Sequence, residues 1–195
     1  AAVKEAQKAP QLLVKHKKTD QTHMIMSFRT YDAKDKRNPA ITLMTEVLGV
    51  GMSSRLFSKM RTELGACYYV RAGHDQYTDH STLNISTGIN VSRTEEVVKV
   101  ILEECQKLSE TPVSSEELEK AKEHYVGHLY MGLETTDSLA IFYMDQEVKA
   151  HELESPQEIE KKIRALTAKD IVKVAKEIFR NDNLNLAIVG DIEDE

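Results

Sequence analysis

The amino-acid sequence predicts an α+β fold: a mixed, mainly antiparallel sheet with helices packed on one face. Two observations carry this expectation. Short segments of strand character lie far apart along the chain, near its start, its middle and its end, so they must meet in one sheet. Between and after them the chain turns helical, with apolar residues at helical spacing behind capping signals. The 195 residues contain no internal repeat and no low-complexity stretch.

Taken in order, residues 1–18 are polar and lysine-rich and read as a linker or N-terminal arm, with residues 19–195 as the folded domain. Thr22 to Arg29 alternates, Met24, Met26 and Phe28 on one side against His23, Ser27 and Arg29, as a half-buried strand does. Asn38-Pro39 opens a helix, Asn as cap and Pro at the first position, with Ile41, Met44, Val47 and Leu48 as its apolar face. Gly49 to Ser54 breaks it, and a new helix from about Ser54 turns Leu56, Phe57, Met60 and Leu64 inward before stopping at Gly65. Cys67 to Ala72 and Thr82 to Asn90 form an antiparallel hairpin, Leu83, Ile85 and Ile89 alternating with Asn84, Ser86 and Gly88. Ser92 to Glu95, Ser114 to Glu117 and Ser155 to Glu158 read as capping boxes, and Thr167 to Asp170 opens a last helix burying Ile171, Val174 and Ile178. Leu184 to Val189 closes the chain as an apolar strand.

The bulk numbers narrow the function. At 41% hydrophobic and 30% charged, the chain has the composition of a globular domain with an ordinary core. Its formal charge of -6 argues against general affinity for nucleic acid or anionic membrane. No run of about 18 apolar residues is present to span a bilayer. Ala1-Ala2-Val3-Lys4-Glu5 carries neither an initiating Met nor a signal-peptide apolar region, and reads as an interior piece of a longer chain or a trimmed product. Cys67 and Cys105 are too few for a disulfide framework and sit in apolar-periodic segments, so they are expected to be core thiols in a reducing compartment, the cytoplasm.

Candidate chemistry starts with the histidines. His124 and His128 share a helix face, but a zincin needs Glu directly after the first His and an inverted zincin Glu directly before the second; Tyr125 and Gly127 stand there. His74 and His80 flank a turn with Asp75 and Asp79, where polar residues are expected anyway, and His16, His23 and His151 are isolated. Gly49-Val50-Gly51 follows a helix and lacks the third glycine of a dinucleotide loop, and there is no nucleophile elbow. No metal site is expected in this chain.

One segment is denser in signal. Leu48-Gly49-Val50-Gly51-Met52-Ser53-Ser54-Arg55-Leu56-Phe57, continued by Arg61-Thr62-Glu63-Leu64-Gly65-Ala66-Cys67-Tyr68, resembles the C-terminal domain of M16 (insulinase, pitrilysin-like) zinc metallopeptidases. That family's pattern runs roughly Leu-Gly-Gly-Gly-Met-Ser-Ser-Arg-Leu-Phe, then Arg-Glu-x-x-Gly-Leu-Ala-Tyr; Val50 and Ala66-Cys67 depart from it. The closing Ala187-Ile188-Val189-Gly190-Asp191 is similar to the last strand of such domains. The resemblance implies paired homologous halves enclosing a chamber for extended peptides. Zinc would be held in the complete enzyme by a His-x-x-Glu-His motif in an N-terminal half, in the same chain or a separate subunit, and this chain by itself would be inactive. The half without zinc would supply an arginine–tyrosine pair, mapping onto Arg61 and Tyr68: Tyr68 as catalytic donor, Arg61 with Tyr68 as substrate-binding residues.

Elementary chemistry gives the pair a use, since a phenol can donate to a developing oxyanion and a guanidinium fork can hold a neighbouring peptide carbonyl. The residues also allow plainer roles, Arg61 capping its helix C-terminus and Tyr68 serving as a core aromatic beside Tyr69. The alternative to an enzyme half is a catalytically silent M16-like subunit with a structural or assembly role, which would have no need of such a pair.

Overall fold

The computed structural model of the protein describes Val3, residues 6–150 and residues 152–192; His151 and most of the Ala1–Glu5 segment lie outside the described residues. Five strands form one sheet: β1 (Gln11–His16), β2 (Thr22–Thr30), β3 (Cys67–Gln76), β4 (Ser81–Ile89) and β5 (Leu184–Gly190), in the order β1-β5-β2-β4-β3. All neighbours are antiparallel except β1 and β5, which run parallel. The sheet is therefore mixed and mainly antiparallel, as the patterning predicts.

Alternation sets which face is covered. On β2 and β4, Met24, Met26, Phe28, Leu83, Ile85 and Ile89 are buried, while Ile25 and Val189 on the opposite face are exposed. On the covered side lie α1 (Asn38–Gly49) and α6 (Ala168–Ile178) against β3 and β2, with α2 (Thr94–Glu110) on α6 and the first half of α3 (Ser115–Gly132) and α5 (Pro156–Ala165) on α1. Ile41, Met44, Val47 and Leu48 of α1 meet Val97, Ile101, Cys105 and Leu108 of α2 and Ile171, Val174 and Ile178 of α6 in one cluster. The helices after Thr111 are not a separate bundle, because α3 and α5 pack on α1, and α6 packs on α1, α2 and β2. The exception is α4 (Thr136–Ala150), which buries none of its residues.

Four local expectations need correction. The segment read as an arm contains β1, so Gln11–His16 belongs to the sheet. It is an edge strand whose side chains are largely exposed, Leu12 and Leu13 included, so it has no buried alternation to reveal it. Asn38 does not cap α1. The Asp35 carboxylate accepts from the Arg37 amide at 2.8 Å, which moves the cap to Arg37, and the Asn38 side chain donates instead to the Asp32 carbonyl. Ser92 forms no capping box, because its amide and hydroxyl both donate to Asn90 Oδ1 and a 3₁₀ turn over Val91–Arg93 precedes α2. At Ser114 half of the box forms: its hydroxyl accepts from the Glu117 amide, but the Glu117 carboxylate is taken by Arg55. Ser155 and Glu158 make the full reciprocal box that opens α5.

Candidate functional site

The segment carrying Arg61 and Tyr68 is built from two local insertions and a turn. After one α-helical turn at Arg55–Leu56 the chain winds as a π-helix over Phe57–Glu63, with Leu64 N donating to Lys59 O at 3.1 Å. A π-helix adds a residue per turn, which the apolar spacing of Leu56 and Met60 does not announce. Gly65 adopts φ +57° to turn the chain back, and Ala66 N donates to Met60 O at 2.8 Å. β3 then begins with a register shift between Cys67 and Tyr69, so Tyr68 is the extra residue of a β-bulge.

Both predicted site residues face solvent. Tyr68 is 52% exposed at the outer edge of the sheet, and Arg61 is exposed on the π-helix. Arg61 Nη1 donates to the Cys67 carbonyl at 2.8 Å, which places its guanidinium against the residue preceding Tyr68. Burial pushes the Cys67 thiol up, opposed by the nearby Arg61 charge and the Thr87 hydroxyl. Tyr69 behaves differently from its neighbour. Its ring lies over Gly88, where a Cβ would come within 2.6 Å of it, and its hydroxyl is 3.1 Å from His23 Nδ1 across the sheet. Tyr69 is the packed aromatic; Tyr68 is presented.

The rest of the glycine–serine motif is structural. A Cβ on Gly49 would stand 2.7 Å from Ala72 Cβ and 2.8 Å from Ala72 N, so glycine lets α1 close onto β3. Gly51 has φ +78° with the His124 ring under its α-carbon. Ser54 Oγ donates back to Gly51 O at 2.8 Å. Arg55 makes a two-pronged pair with Glu117 of α3, at 2.6 and 2.8 Å. These contacts fix where the π-helix begins and so where Arg61 stands.

Among the described residues the histidines do not assemble a zinc site. The His124 and His128 rings lie 4.4 Å apart on α3, tilted by 43°, but His124 Nδ1 is 2.7 Å from Glu46 Oε2, an internal partner. Burial raises the Glu46 carboxyl, with the His124 hydrogen bond opposing that shift. His74 bonds Thr30, and His80 pairs with Asp79 and stacks on Tyr77, so the two ends of the hairpin turn are not drawn together on one point. Among the described residues no group of three or more His, Cys, Asp or Glu is arranged to hold a metal ion. The described residues therefore do not fit a catalytic zinc. No helix is long and apolar enough to cross a membrane among those residues.

A residue missed in the sequence is Thr87. It occupies an inward position in the Leu83, Ile85, Ile89 alternation of β4, is fully buried, and donates to the Tyr69 carbonyl at 2.7 Å. A hydroxyl at an inward position of an apolar strand was the available signal, because such a group needs an internal partner.

Comparison with known proteins agrees with this fold. The chain is 28% identical over 170 residues to the uncharacterized zinc protease YmxG of Bacillus subtilis, covering 87% of this chain and 42% of that protein. It thus spans less than half the length of that relative. Among solved structures it superposes on a protease from Helicobacter pylori with a TM-score of 0.87 at 22% identity, covering 94% of this chain and 45% of that one. It superposes equally on a peptidase M16 inactive domain from Pseudomonas fluorescens, with a TM-score of 0.87 at 16% identity, covering 100% of this chain and 47% of that one. At those identities the structures establish the fold. The family model described as peptidase M16 inactive domain matches residues 2–125, nearly two-thirds of the chain including the Arg61–Tyr68 segment, and the protein belongs to that family.

Proposed function

We propose that this chain is the substrate-binding, chamber-forming half of a zinc-dependent endopeptidase, working beside a homologous half that carries the metal. The observation that carries the reading is the contrast at the start of β3: Tyr68 stands free in solvent while Tyr69 is packed, and Arg61 sits beside it with further guanidinium donors to spare. An extended peptide laid along this edge would meet a phenol and a guanidinium fork. Tyr68 would donate to the oxygen that gains charge as the scissile carbonyl is attacked, and Arg61 would hold a neighbouring carbonyl and fix the peptide's register. Zinc supplies the activated water when bound, and its ligands would lie in the part of the relatives that this chain does not span. The exposed sheet face with Ile25 and Val189, and the apolar residues of α4, are the surfaces on which the other half would rest.

The test is kinetic and is made on the two halves together with an internally quenched peptide. Tyr68→Phe should lower kcat by about a hundredfold, the scale of a lost oxyanion donor, with melting temperature and zinc content unchanged. Arg61→Ala should raise KM as kcat falls. Near-normal turnover in both variants would remove the assignment and leave the alternative, a catalytically silent structural or assembly subunit.

A further inference from the structure

Tyr68 carries an exposed ring on an edge strand, where a bulged residue has few neighbours to hold it. Its main chain is nevertheless fixed from both sides. The carbonyl before it, of Cys67, accepts from Arg61 Nη1 at 2.8 Å, and the carbonyl after it, of Tyr69, accepts from Thr87 Oγ1 at 2.7 Å. The first donor comes from the π-helix at the surface; the second comes from the neighbouring strand β4 and is fully buried. Thr87 lies opposite Val70 in the ladder and opposite Met24 on the other side, so its own main chain is held between two strands. The extra residue of a bulge is left unpaired and disrupts the regular ladder, and here side-chain donors occupy the carbonyls on either side of it.

We propose that Thr87 is a positioning residue for Tyr68: with Arg61 it clamps the two carbonyls that flank the bulge and so fixes the direction of the phenol. Thr87 has no exposed atom with which to touch a substrate, so it acts through Tyr68. Arg61 has two duties, one donor on the Cys67 carbonyl and its remaining donors toward the peptide. The functional consequence rests on the reading of Tyr68 given above; the clamp itself does not.

The test has an arm for each. On this chain, Thr87→Val keeps the shape and removes the hydroxyl, and Thr87→Ser restores it; Thr87→Ala serves if the valine is not accommodated. Amide exchange measured by NMR across residues 67–70 should quicken about tenfold or more in Thr87→Val, the Tyr68 ring resonances should move, and Thr87→Ser should return both. Unchanged exchange and ring shifts in Thr87→Val, or an equal quickening along β2 and β4, would overturn the clamp, the latter marking a general loss of stability. With the zinc-bearing half and an internally quenched peptide, Thr87→Val should lower kcat about tenfold with little change in KM, and adding it to Tyr68→Phe should cost nothing further. Full additivity of the two losses would overturn the positioning role. If Tyr68→Phe itself leaves turnover intact, the substrate-site reading falls, and the exchange arm still decides whether the clamp exists.

Discussion

Helices α6 and α4 contain similar proportions of apolar residues and meet opposite fates. In α6 four of the six, Ile171, Val174, Ala175 and Ile178, form one stripe along one face and are buried against α1, α2 and β2. In α4 they run together as Leu139, Ala140, Ile141, Phe142, Tyr143 and Met144, so they circle the helix, and none is buried. Spacing rather than hydrophobicity decides which helix builds the core, because a helix can turn only one face to a sheet. The same contrast divides the sheet, whose covered face is completed within the chain while its other face and α4 keep exposed apolar residues such as Ile25, Val189, Ile141 and Val148.

The contrast can be broken most directly by deleting matched side chains from the two helices. Ile171→Ala, at a fully buried position, should cost about 2–5 kcal/mol in urea unfolding. Ile141→Ala, on α4, should stay within about 0.5 kcal/mol in this chain. A comparable loss from both would mean that α4 is packed in solution and the division is false.

A second effect sharpens the contrast through pH. His74, on the β3 edge, is pulled down to about 4, mainly by burial and against the attraction of Asp75. The folded state therefore prefers the neutral ring, and between about pH 4 and the ordinary histidine value the unfolded chain binds more protons. Stability is full above that window and falls as pH drops through it, by about 1–3 kcal/mol. His74→Gln should flatten this part of the stability profile. A profile unchanged by the substitution would place His74 in water and outside the packed unit.

The smallest effect concerns the junction between the two regions. Ser155 and Glu158 form the capping box at the start of α5, just after α4, and α5 packs on α1 and α3. Ser155→Ala should cost about 1 kcal/mol, with faster exchange confined to the first turn of α5. A loss spread through the sheet would show that α4 and the junction are coupled to the core more tightly than their burial implies.

Much of this molecule was legible in particular residues. Met24, Met26 and Phe28 identified β2 by alternation, Ile41, Met44, Val47 and Leu48 identified the inner face of α1, and Ser155 with Glu158 marked the start of α5, because each signal needs only neighbours along the chain. The Leu48–Phe57 and Arg61–Tyr68 motif pointed to the M16 family, and the family model covering residues 2–125 bears that out. Other features depended on partners distant in sequence. β1 is a strand because β5 offers it an edge; Glu117 fails to complete its capping box because Arg55, 62 residues earlier, takes its carboxylate. Arg61 and Tyr68 were nameable from the motif, but that Tyr68 sits in a bulge, exposed, with Arg61 and Thr87 on its flanking carbonyls, was decided by the meeting of π-helix, β3 and β4. The sequence by itself determined which segments are amphipathic and how most of them begin, since those are properties of nearest neighbours. The tertiary structure decided which polar side chain each exposed or buried main-chain group would find, since a hydrogen bond is settled only when both of its ends are in place.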